Sequence, residues 1–318
     1  MGTFTQVTHN VSFLKKLWRN KATVRALLNS ENFIFVRDYL PGHFYSPIPD
    51  LRELNDNARK VFDRSVKRLE AVNLNESRQL QLANAFAEAY QEMPFPETRI
   101  AEFRYYLDNP FFSFGDGIVL YSFFRYFKPK RVVEVGSGFS SAEMLDMSTR
   151  FCSEPIEFTF IEPRPKRLYS LLSQKDKELC NIQTKPVQRV DPAFFRELQE
   201  NDFLFIDSSH VGKIDSDVLH IIFNILPLLK PGVLVHFHDI LWPFEYPQNW
   251  VEEGRAYNES YMLRAFLQYN SAFEIVYFNS YMAIHHTELI KCMMPLVLKS
   301  PSTGETEGNS SVWLRKIV

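Results

Sequence analysis

The sequence predicts an α/β fold built around a mostly parallel sheet, and two observations carry this prediction. Short apolar runs are separated by helical patterns, beginning with Val132–Val135 and Phe158–Ile161. Glycines directly follow the first of these runs, and a helical pattern then extends from Ser140 to Arg150. A buried strand, a glycine turn and a helix form the first crossover of nucleotide-type α/β folds. In such a sheet the ligand site lies beyond the carboxyl ends of the strands.

The other predicted strands are apolar runs of the same kind. Asn181–Val187 is the third, Phe203–Ile206 the fourth and Gly232–Phe237 the fifth. Phe273–Phe278 and Ser311–Ile317 follow as two closing strands, which brings the predicted total to seven. Short apolar runs rich in β-branched and aromatic residues are typical of strands in a covered sheet.

The turn after the first strand indicates a cofactor site. It reads Gly136-Ser137-Gly138-Phe139-Ser140, and Glu134 lies inside the strand that precedes it. A dinucleotide site would require G-x-G-x-x-G, which is absent here, so nothing marks a phosphate site. A glycine-rich turn that binds nothing is the alternative from this motif alone.

The same E-x-G-x-G pattern resembles the first motif of the class I S-adenosylmethionine-dependent methyltransferases. In that family the glycines face the methionine part of the cofactor, and the acid helps to position its amino group. The resemblance implies S-adenosyl-L-methionine as cofactor, with contacts from Glu134, Gly136, Ser137, Gly138, Phe139 and Ser140.

Two further residues are candidates for cofactor contacts. Glu162 follows the second strand, where an acid is the usual acceptor for paired ribose hydroxyls. A solvated carboxylate at the strand end is the alternative. The methyltransferase pattern often places a polar residue against the adenine after the third strand, and Gln188 occupies this place. Asp191 is the alternative there, although Asp-Pro is more typical of a helix start.

Polar residues also follow the fourth and fifth strands. Asp207 ends the fourth strand, and His238 and Asp239 follow the fifth, so all three fall at the same sheet edge. One imidazole and two carboxylates suit a divalent cation such as Mg, Mn, Fe or Zn. Catechol and caffeoyl-coenzyme A O-methyltransferases, which this region resembles, hold a metal with an Asp and an Asp-Asn pair at these places. His-Asp replaces Asp-Asn here, which favours a softer metal.

His210 stands three residues after Asp207, where the same enzymes have a lysine that acts as general base. A neutral imidazole is a suitable base near neutral pH. Two alternatives remain open: His210 forms a hydrogen bond within a loop, or it is itself a metal ligand. The second would give two histidines and a carboxylate, the set found in non-haem iron oxygenases. His236 lies one step deeper in the sheet, where a core role is expected.

The resemblance extends from about Asn109 onward and includes the segments Phe114-Gly115-Asp116 and Tyr257-Asn258-Glu259. It implies a Rossmann-like methyltransferase fold over residues 108–318, with the mostly parallel seven-stranded sheet closed by an antiparallel hairpin. Residues 1–107 are expected to form a mainly helical cap, because Val11–Leu28, Leu51–Val72 and Glu76–Glu92 have helical patterns. An aromatic loop over 241–256 is expected to cover the acceptor as a lid.

Composition narrows the class of protein. A net charge of −2 gives no argument for nucleic acid, and no apolar run reaches the length of a membrane span. Three widely spaced cysteines indicate reduced thiols and a cytoplasmic protein. A homo-oligomer is compatible with the sequence, which does not fix the oligomeric state.

These observations predict a methyltransferase that uses S-adenosylmethionine to O-methylate a small hydroxylated metabolite, with assistance from a divalent metal. Asp207, His238 and Asp239 are the predicted metal ligands, and His210 and Asp207 the predicted catalytic residues. Asp207 is also a predicted cofactor contact. Two alternatives belong to other classes. One is an iron-dependent oxygenase or lyase on a methyltransferase fold, and the other is a non-catalytic cofactor-binding module.

Overall fold

The computed structural model describes residues 39–302 and 308–318, and the chain divides into two units, Met1–Val61 and Phe62–Val318. In the first unit the described residues contain one helix, α1 (Leu51–Val61), none of whose residues is buried. The predicted amphipathic helix Val11–Leu28 lies outside the described residues. The predicted division into a cap of residues 1–107 and a sheet domain of residues 108–318 stays a prediction.

The second unit is built on one sheet of seven strands. In chain order they are β1 (Arg131–Val135), β2 (Glu157–Ile161), β3 (Asn181–Gln183), β4 (Phe203–Ile206), β5 (Leu234–Phe237), β6 (Phe273–Phe278) and β7 (Val312–Lys316). Their order across the sheet is β3-β2-β1-β4-β5-β7-β6. Strands β1 to β5 are parallel, and β7 runs antiparallel to both β5 and β6. The predicted parallel sheet with an antiparallel closing pair is confirmed.

Helices cover both faces of the sheet and connect its strands. They are α2 (Glu76–Tyr90), α3 (Phe114–Phe127), α4 (Phe139–Phe151), α5 (Lys166–Leu171), α6 (Gln174–Leu179), α7 (Asp217–His220), α8 (Gln248–Glu252), α9 (Glu259–Leu267), α10 (Asn279–His285) and α11 (Thr287–Met293). The core lies between these helices and the sheet. All four residues of β4 and of β5 are buried, because helices cover both of their faces.

The parallel strands end at the same level, and this brings the candidate site residues together. Val135 of β1 is in register with Ile161 of β2 and with Ile206 of β4. Ile206 is in turn in register with Phe237 of β5. The next residue on each strand therefore emerges at one edge of the sheet; these residues are Gly136, Glu162, Asp207 and His238.

Two predicted elements are shorter than expected. The helix predicted over Leu51–Val72 ends at Val61, because the chain beyond it runs without helical hydrogen bonds and gives its carbonyl groups to other partners. The Val66 carbonyl accepts a hydrogen bond from Nε1 of Trp242 at 2.6 Å. The third strand ends at Gln183 instead of Val187, since Pro186 cannot donate a ladder hydrogen bond and a 3₁₀ turn follows it.

Candidate active site

A cavity of about 860 Å³ opens at the carboxyl ends of the parallel strands. The glycine turn after β1 and the acid after β2 form one side, and the residues after β4 and β5 form the floor. The segment after β5 supplies the other side. The polar and aromatic side chains that line the cavity include Phe111, Phe139, Glu162, Arg167, Asp207, His210, His238, Asp239, Trp250, Glu253, Arg255 and Tyr257.

The glycine turn is shaped by close contact with the neighbouring strand. Gly136 has φ of +81°, and a Cβ built on it would lie 1.7 Å from the backbone carbonyl oxygen of Asp207. Only glycine tolerates both the left-handed conformation and this approach. Ser137, Gly138, Phe139 and Ser140 then line the cavity together with Gly136. Their role as cofactor contacts stays a prediction.

Glu134 is placed differently from the prediction. Its side chain is fully buried and does not line the cavity. Its carboxylate accepts hydrogen bonds from the hydroxyls of Ser140, at 2.5 Å, and Ser141. Burial raises the pKa of Glu134 to about 8, against the opposing effect of these hydroxyls. In this arrangement Glu134 fixes the start of α4 beneath the glycine turn.

Glu162 and Gln188, two further predicted cofactor contacts, lie in different places. Glu162 lines the cavity, and its carboxylate accepts hydrogen bonds from the backbone N–H of Ser137 at 3.2 Å and of Arg164 at 2.7 Å. Gln188 does not line the cavity. Its Nε2 donates to the carbonyl oxygen of Asp215 at 2.6 Å. The structure therefore brings Glu162 to the glycine turn and leaves Gln188 outside the site.

Four residues meet at the floor of the cavity, and we call them the acid–histidine cluster: Asp207, His210, His238 and Asp239. Nε2 of His210 lies 3.5 Å from Oδ1 of Asp207 and 3.4 Å from Oδ2 of Asp239. Nδ1 of His238 lies 3.5 Å from Oδ1 of Asp207 and 3.4 Å from Oδ1 of Asp239. Each imidazole therefore directs one nitrogen towards both carboxylates.

Two buried carboxylates lie behind the imidazoles, and neither was assigned a role from the sequence. Oε2 of Glu259, at the start of α9, is 3.0 Å from Nδ1 of His210. Oδ2 of Asp116, in the first turn of α3, is 3.6 Å from Nε2 of His238. Both acids lie in segments already noted for their resemblance, but their separations from the histidines, 49 and 122 positions, give no local signal.

Hydrogen bonds from other elements hold Asp116 in place. Asn279 donates to Oδ1 at 2.8 Å, and the backbone N–H of Ser310 donates at 3.0 Å. The Ser310 hydroxyl lies 3.0 Å from Oδ2 of Asp116 and 3.4 Å from Nε2 of His238. Residues of α3, α10 and the approach to β7 thus converge behind His238.

The cluster changes the protonation of its members. Burial alone would lower the pKa of His210 and of His238, but the surrounding carboxylates outweigh burial and raise both values well above the usual range. For Asp207 burial favours the neutral acid, yet the charges and hydrogen bonds of His238 and His210 prevail and lower its pKa. These directions favour protonated imidazoles on His210 and His238 beside an ionised Asp207.

The backbone at the cluster is strained at two positions. His210 has φ of +59° and Asp239 has φ of +55°, although neither is glycine. Such conformations cost on the order of 1 kcal/mol or more each and concentrate at functional sites. The His210 carbonyl accepts hydrogen bonds from the N–H groups of Asn258 and Glu259 at 3.0 and 3.2 Å, which fix this loop against α9.

The aromatic segment after β5 borders the cavity through Trp250, and its role as a lid stays a prediction. Leu241, Tyr246 and Trp250 form a small buried cluster of their own. The Tyr246 hydroxyl accepts a hydrogen bond from the N–H of Ser260 at 3.0 Å, which ties the segment to α9. Tyr257 packs near His210, with ring centroids 5.0 Å apart.

His236 is buried, stacks on Phe205 at 3.6 Å and contacts Ser311, so it belongs to the core as predicted. Within residues 39–302 and 308–318, no three His, Cys, Asp or Glu side chains are already disposed around one point as metal ligands are. No helix in these ranges is long and apolar enough to cross a membrane.

Comparison with known proteins agrees with this geometry. The family described as "Methyltransferase domain" matches residues 133–240, from β1 to just beyond β5. An uncharacterized protein of Archaeoglobus fulgidus is 34% identical over 166 residues, which cover 51% of this chain and 74% of that protein. The strand order, the glycine turn and the family match define a Rossmann-like, cofactor-dependent methyltransferase. The chain belongs to the class I S-adenosylmethionine-dependent methyltransferases.

Solved structures show weaker similarity. The SAH-bound methyltransferase PaMTH1 of Podospora anserina is 14% identical with a TM-score of 0.39, over 85% of this chain and 98% of that chain. The O-methyltransferase TomG of Streptomyces achromogenes, in complex with SAM, is 16% identical with a TM-score of 0.35, over 64% and 82%. Because both TM-scores are low, the fold assignment rests on the strand order.

Proposed function

We propose that this methyltransferase O-methylates a small hydroxylated metabolite bound over the acid–histidine cluster. The observation that carries the proposal is that the glycine turn and the cluster line one cavity, with Asp207 beside both. Methyl transfer requires the sulfonium methyl group and the acceptor oxygen to be held in line and shielded from water. A single cavity with a cofactor side and a polar floor suits this requirement.

The cofactor side consists of the glycine turn and Glu162. We place the methionine part of S-adenosylmethionine against Gly136, Ser137, Gly138, Phe139 and Ser140, where the absence of Cβ atoms on the glycines permits close approach. The carboxylate of Glu162 would accept hydrogen bonds from the ribose hydroxyls. Asp207 closes this side towards the cluster. The acceptor would then enter from the side of Trp250 and Tyr257.

The side chains of the cluster are of the types that bind divalent cations, although they are not already disposed around one point as metal ligands are. Asp207, His238 and Asp239 would hold it, since Nδ1 of His238 lies within 3.5 Å of an oxygen of each carboxylate. When bound, such a cation supplies Lewis acidity that lowers the pKa of an acceptor hydroxyl. The carboxylates of Asp207 and Asp239 would orient the acceptor, because both line the cavity.

His210 is the second group that we propose for the reaction. Burial alone would lower the pKa of His210, but its contacts with Asp207 and Glu259 raise the pKa and so favour the protonated imidazole. It can accept a proton from the acceptor only after it has lost its own, and a cation bound beside it would favour the neutral form. Binding of the acceptor and the protonation of His210 are thus coupled.

Two measurements test the proposed function. Isothermal titration of the ligand-free protein with S-adenosylhomocysteine should show binding, and incubation of the protein with labelled S-adenosylmethionine and a metabolite extract should label a hydroxylated product. Exhaustive chelation should abolish the labelling, and a divalent cation should restore it. Failure to bind S-adenosylhomocysteine would contradict the cofactor assignment, and a product methylated at nitrogen or carbon would contradict O-methylation.

A further inference from the structure

We propose that Arg167 binds the carboxylate of the methionine part of the cofactor, so that the cavity selects adenosyl compounds with an intact amino-acid end. The inference rests on the proposed function, because that function places the methionine part against the glycine turn. It adds a cofactor contact that lies outside the turn and outside the strand ends, on helix α5.

The first argument is the position of the Arg167 side chain against the glycine turn. A Cβ built on Gly138 would lie 3.0 Å from Cδ of Arg167 and 3.8 Å from its Cγ. The methylene stem of Arg167 therefore lies on the surface that Gly138 leaves open. Nη1 of Arg167 is 3.9 Å from the same point, and Arg167 lines the cavity together with Gly138 and Glu162. The guanidinium group thus lies on the cofactor side of the cavity.

The second argument is that this guanidinium group is held in place but carries an unpaired charge. Its Cζ lies 3.6 Å from the centroid of the Phe111 ring, and Phe111 in turn stacks on Phe139, with centroids 6.1 Å apart. Arg255, on the side formed by the segment after β5, pairs with Glu253 at 2.9 Å. In the part of the chain that the structure describes, Arg167 forms no ion pair. A guanidinium group placed over a ring keeps N–H donors for a carboxylate, which it can bind through two hydrogen bonds.

The third argument concerns the hydroxyls at the glycine turn, two of which are already engaged. The hydroxyls of Ser140 and Ser141 both donate to the buried carboxylate of Glu134. Each hydroxyl has one proton to donate, so neither has a proton left for a ligand. These two serines therefore leave the carboxylate of the cofactor to other donors, and Arg167 is a cationic side chain that lies on the turn.

The test titrates the ligand-free full chain with three compounds that differ at the amino-acid end. S-adenosylhomocysteine has an amino group and a carboxylate, S-adenosyl-3-thiopropylamine has the amino group without the carboxylate, and 5′-methylthioadenosine has neither. Loss of the carboxylate should lower the affinity of the wild-type protein by about 5-fold to 50-fold, as expected for a charge-assisted contact that stays partly exposed. Equal affinity for the first two compounds would overturn the inference.

Variants of Arg167 test the contact itself. Arg167→Met keeps a similar stem on Gly138 and removes the charge, so its affinity for S-adenosylhomocysteine should fall by about 5-fold to 50-fold. Its affinity for 5′-methylthioadenosine should stay within about twofold of wild type, because that compound has no carboxylate to lose a partner. Arg167→Lys should give an intermediate loss, since an ammonium group keeps the charge without the two-pronged geometry.

Lys166→Gln is the matched control. It removes one positive charge from the same helix, but Lys166 lines a smaller adjoining cavity of about 520 Å³ and not the main one. Its affinity for S-adenosylhomocysteine should be unchanged. An equal loss in Lys166→Gln would assign the effect to net charge and overturn the inference. Wild-type affinity for S-adenosylhomocysteine in folded Arg167→Met protein, or an equal loss of affinity for 5′-methylthioadenosine, would also overturn it.

The inference and the proposed function fail in different ways. No binding of S-adenosylhomocysteine to the wild-type protein would contradict both. Binding that is unchanged in Arg167→Met would leave the proposed function in place and overturn the inference. Carboxylate-dependent binding that is lost in Arg167→Met, in a protein whose product is methylated at nitrogen or carbon, would support the inference and contradict the proposed O-methylation.

Discussion

Gly136 and Asp207 are in contact at the backbone, and no side chain can be added between them. A Cβ on Gly136 would lie 1.7 Å from the carbonyl oxygen of Asp207 and 2.7 Å from its carbonyl carbon. The residue that turns the chain at the cofactor side therefore also sets the position of the first residue of the acid–histidine cluster. Any displacement of one loop must displace the other.

Gly136→Ala should consequently impair both cofactor binding and the placement of Asp207 in the acid–histidine cluster. We expect a loss of stability of about 2 to 4 kcal/mol, because backbone strain and steric overlap add, together with a large loss of affinity for S-adenosylhomocysteine. Gly254→Ala is a matched control: Gly254 has φ of +86°, but a Cβ added to it would have no atom within 4 Å. It should cost about 1 to 2 kcal/mol and leave cofactor binding intact. Urea unfolding and calorimetric titration of both variants measure the difference, and equal effects would contradict the steric argument.

Glu162→Ala should weaken cofactor binding selectively. Without the carboxylate the ribose hydroxyls lose their acceptor, which costs on the order of 1 to 3 kcal/mol, or about tenfold to a hundredfold in affinity. Glu157→Ala, at the opposite end of β2, removes an exposed carboxylate paired with Arg131 and should leave the affinity unchanged. Titration with S-adenosylhomocysteine distinguishes the two. Wild-type affinity in Glu162→Ala would remove Glu162 from the cofactor site.

Asp239→Ala should separate the cation from the cofactor. We expect chelator-sensitive activity to disappear, with the affinity for S-adenosylhomocysteine within about twofold of wild type, because the cation would contact the acceptor and not the adenosyl group. Activity of the wild-type protein that survives exhaustive chelation would contradict the cation model.

His210→Ala should lower turnover by about 100-fold or more with the cofactor still bound.

The strands of the sheet can be predicted from the sequence because each strand has its own local signal. Phe203–Ile206 was predicted with its observed bounds, since a buried apolar run ends there at a polar residue. Asp207, His238 and Asp239 could be placed together because parallel strands end at one edge. These predictions needed only local pattern and the register of a parallel sheet.

Other features depend on long-range contacts and have no local signal. Glu134 occupies the position of a cofactor-binding acid, but two hydroxyls of the following helix hold its side chain below the turn. Glu259 and Asp116 reach the histidines only through tertiary packing. The segment beyond Val61 has a helical pattern in the sequence but is not helical in the structure, and its Val66 carbonyl accepts a hydrogen bond from Trp242. In each case a distant partner determines the outcome.

Glu143 provides a test of stability against pH. It is fully buried in α4, and neither of its carboxylate oxygens has a hydrogen-bond partner within the described residues. Burial raises its pKa well above the usual range, and the charges of Asp146 and Asp116 add to this effect. The folded state thus binds the proton more tightly than the unfolded state does.

The sign of the effect follows from this difference. The contribution of Glu143 to stability is complete below its unfolded-state pKa of about 4.3, and it is lost as the pH rises towards the folded-state pKa. Glu143→Gln removes this loss. The free energy of unfolding of the variant minus that of the wild type should therefore increase by about 1.4 kcal/mol per pH unit from about pH 5 upward, until the folded-state pKa is reached. Urea unfolding at several pH values measures it, and parallel profiles would contradict a buried neutral acid.

Strand β7 is the last of the seven strands described here in chain order, yet it lies inside the sheet, between β5 and β6. Until residues 312–316 have been synthesised, β5 and β6 cannot be joined, and each has an unpaired edge that can recruit a strand from another molecule. Ser310, which approaches His238 and Asp116, arrives with the same segment. On the ribosome, therefore, all four residues of the cluster emerge well before the sheet can close behind them. A chaperone-free translation system should accumulate insoluble chains when synthesis stops just before β7 and soluble chains when it continues beyond it.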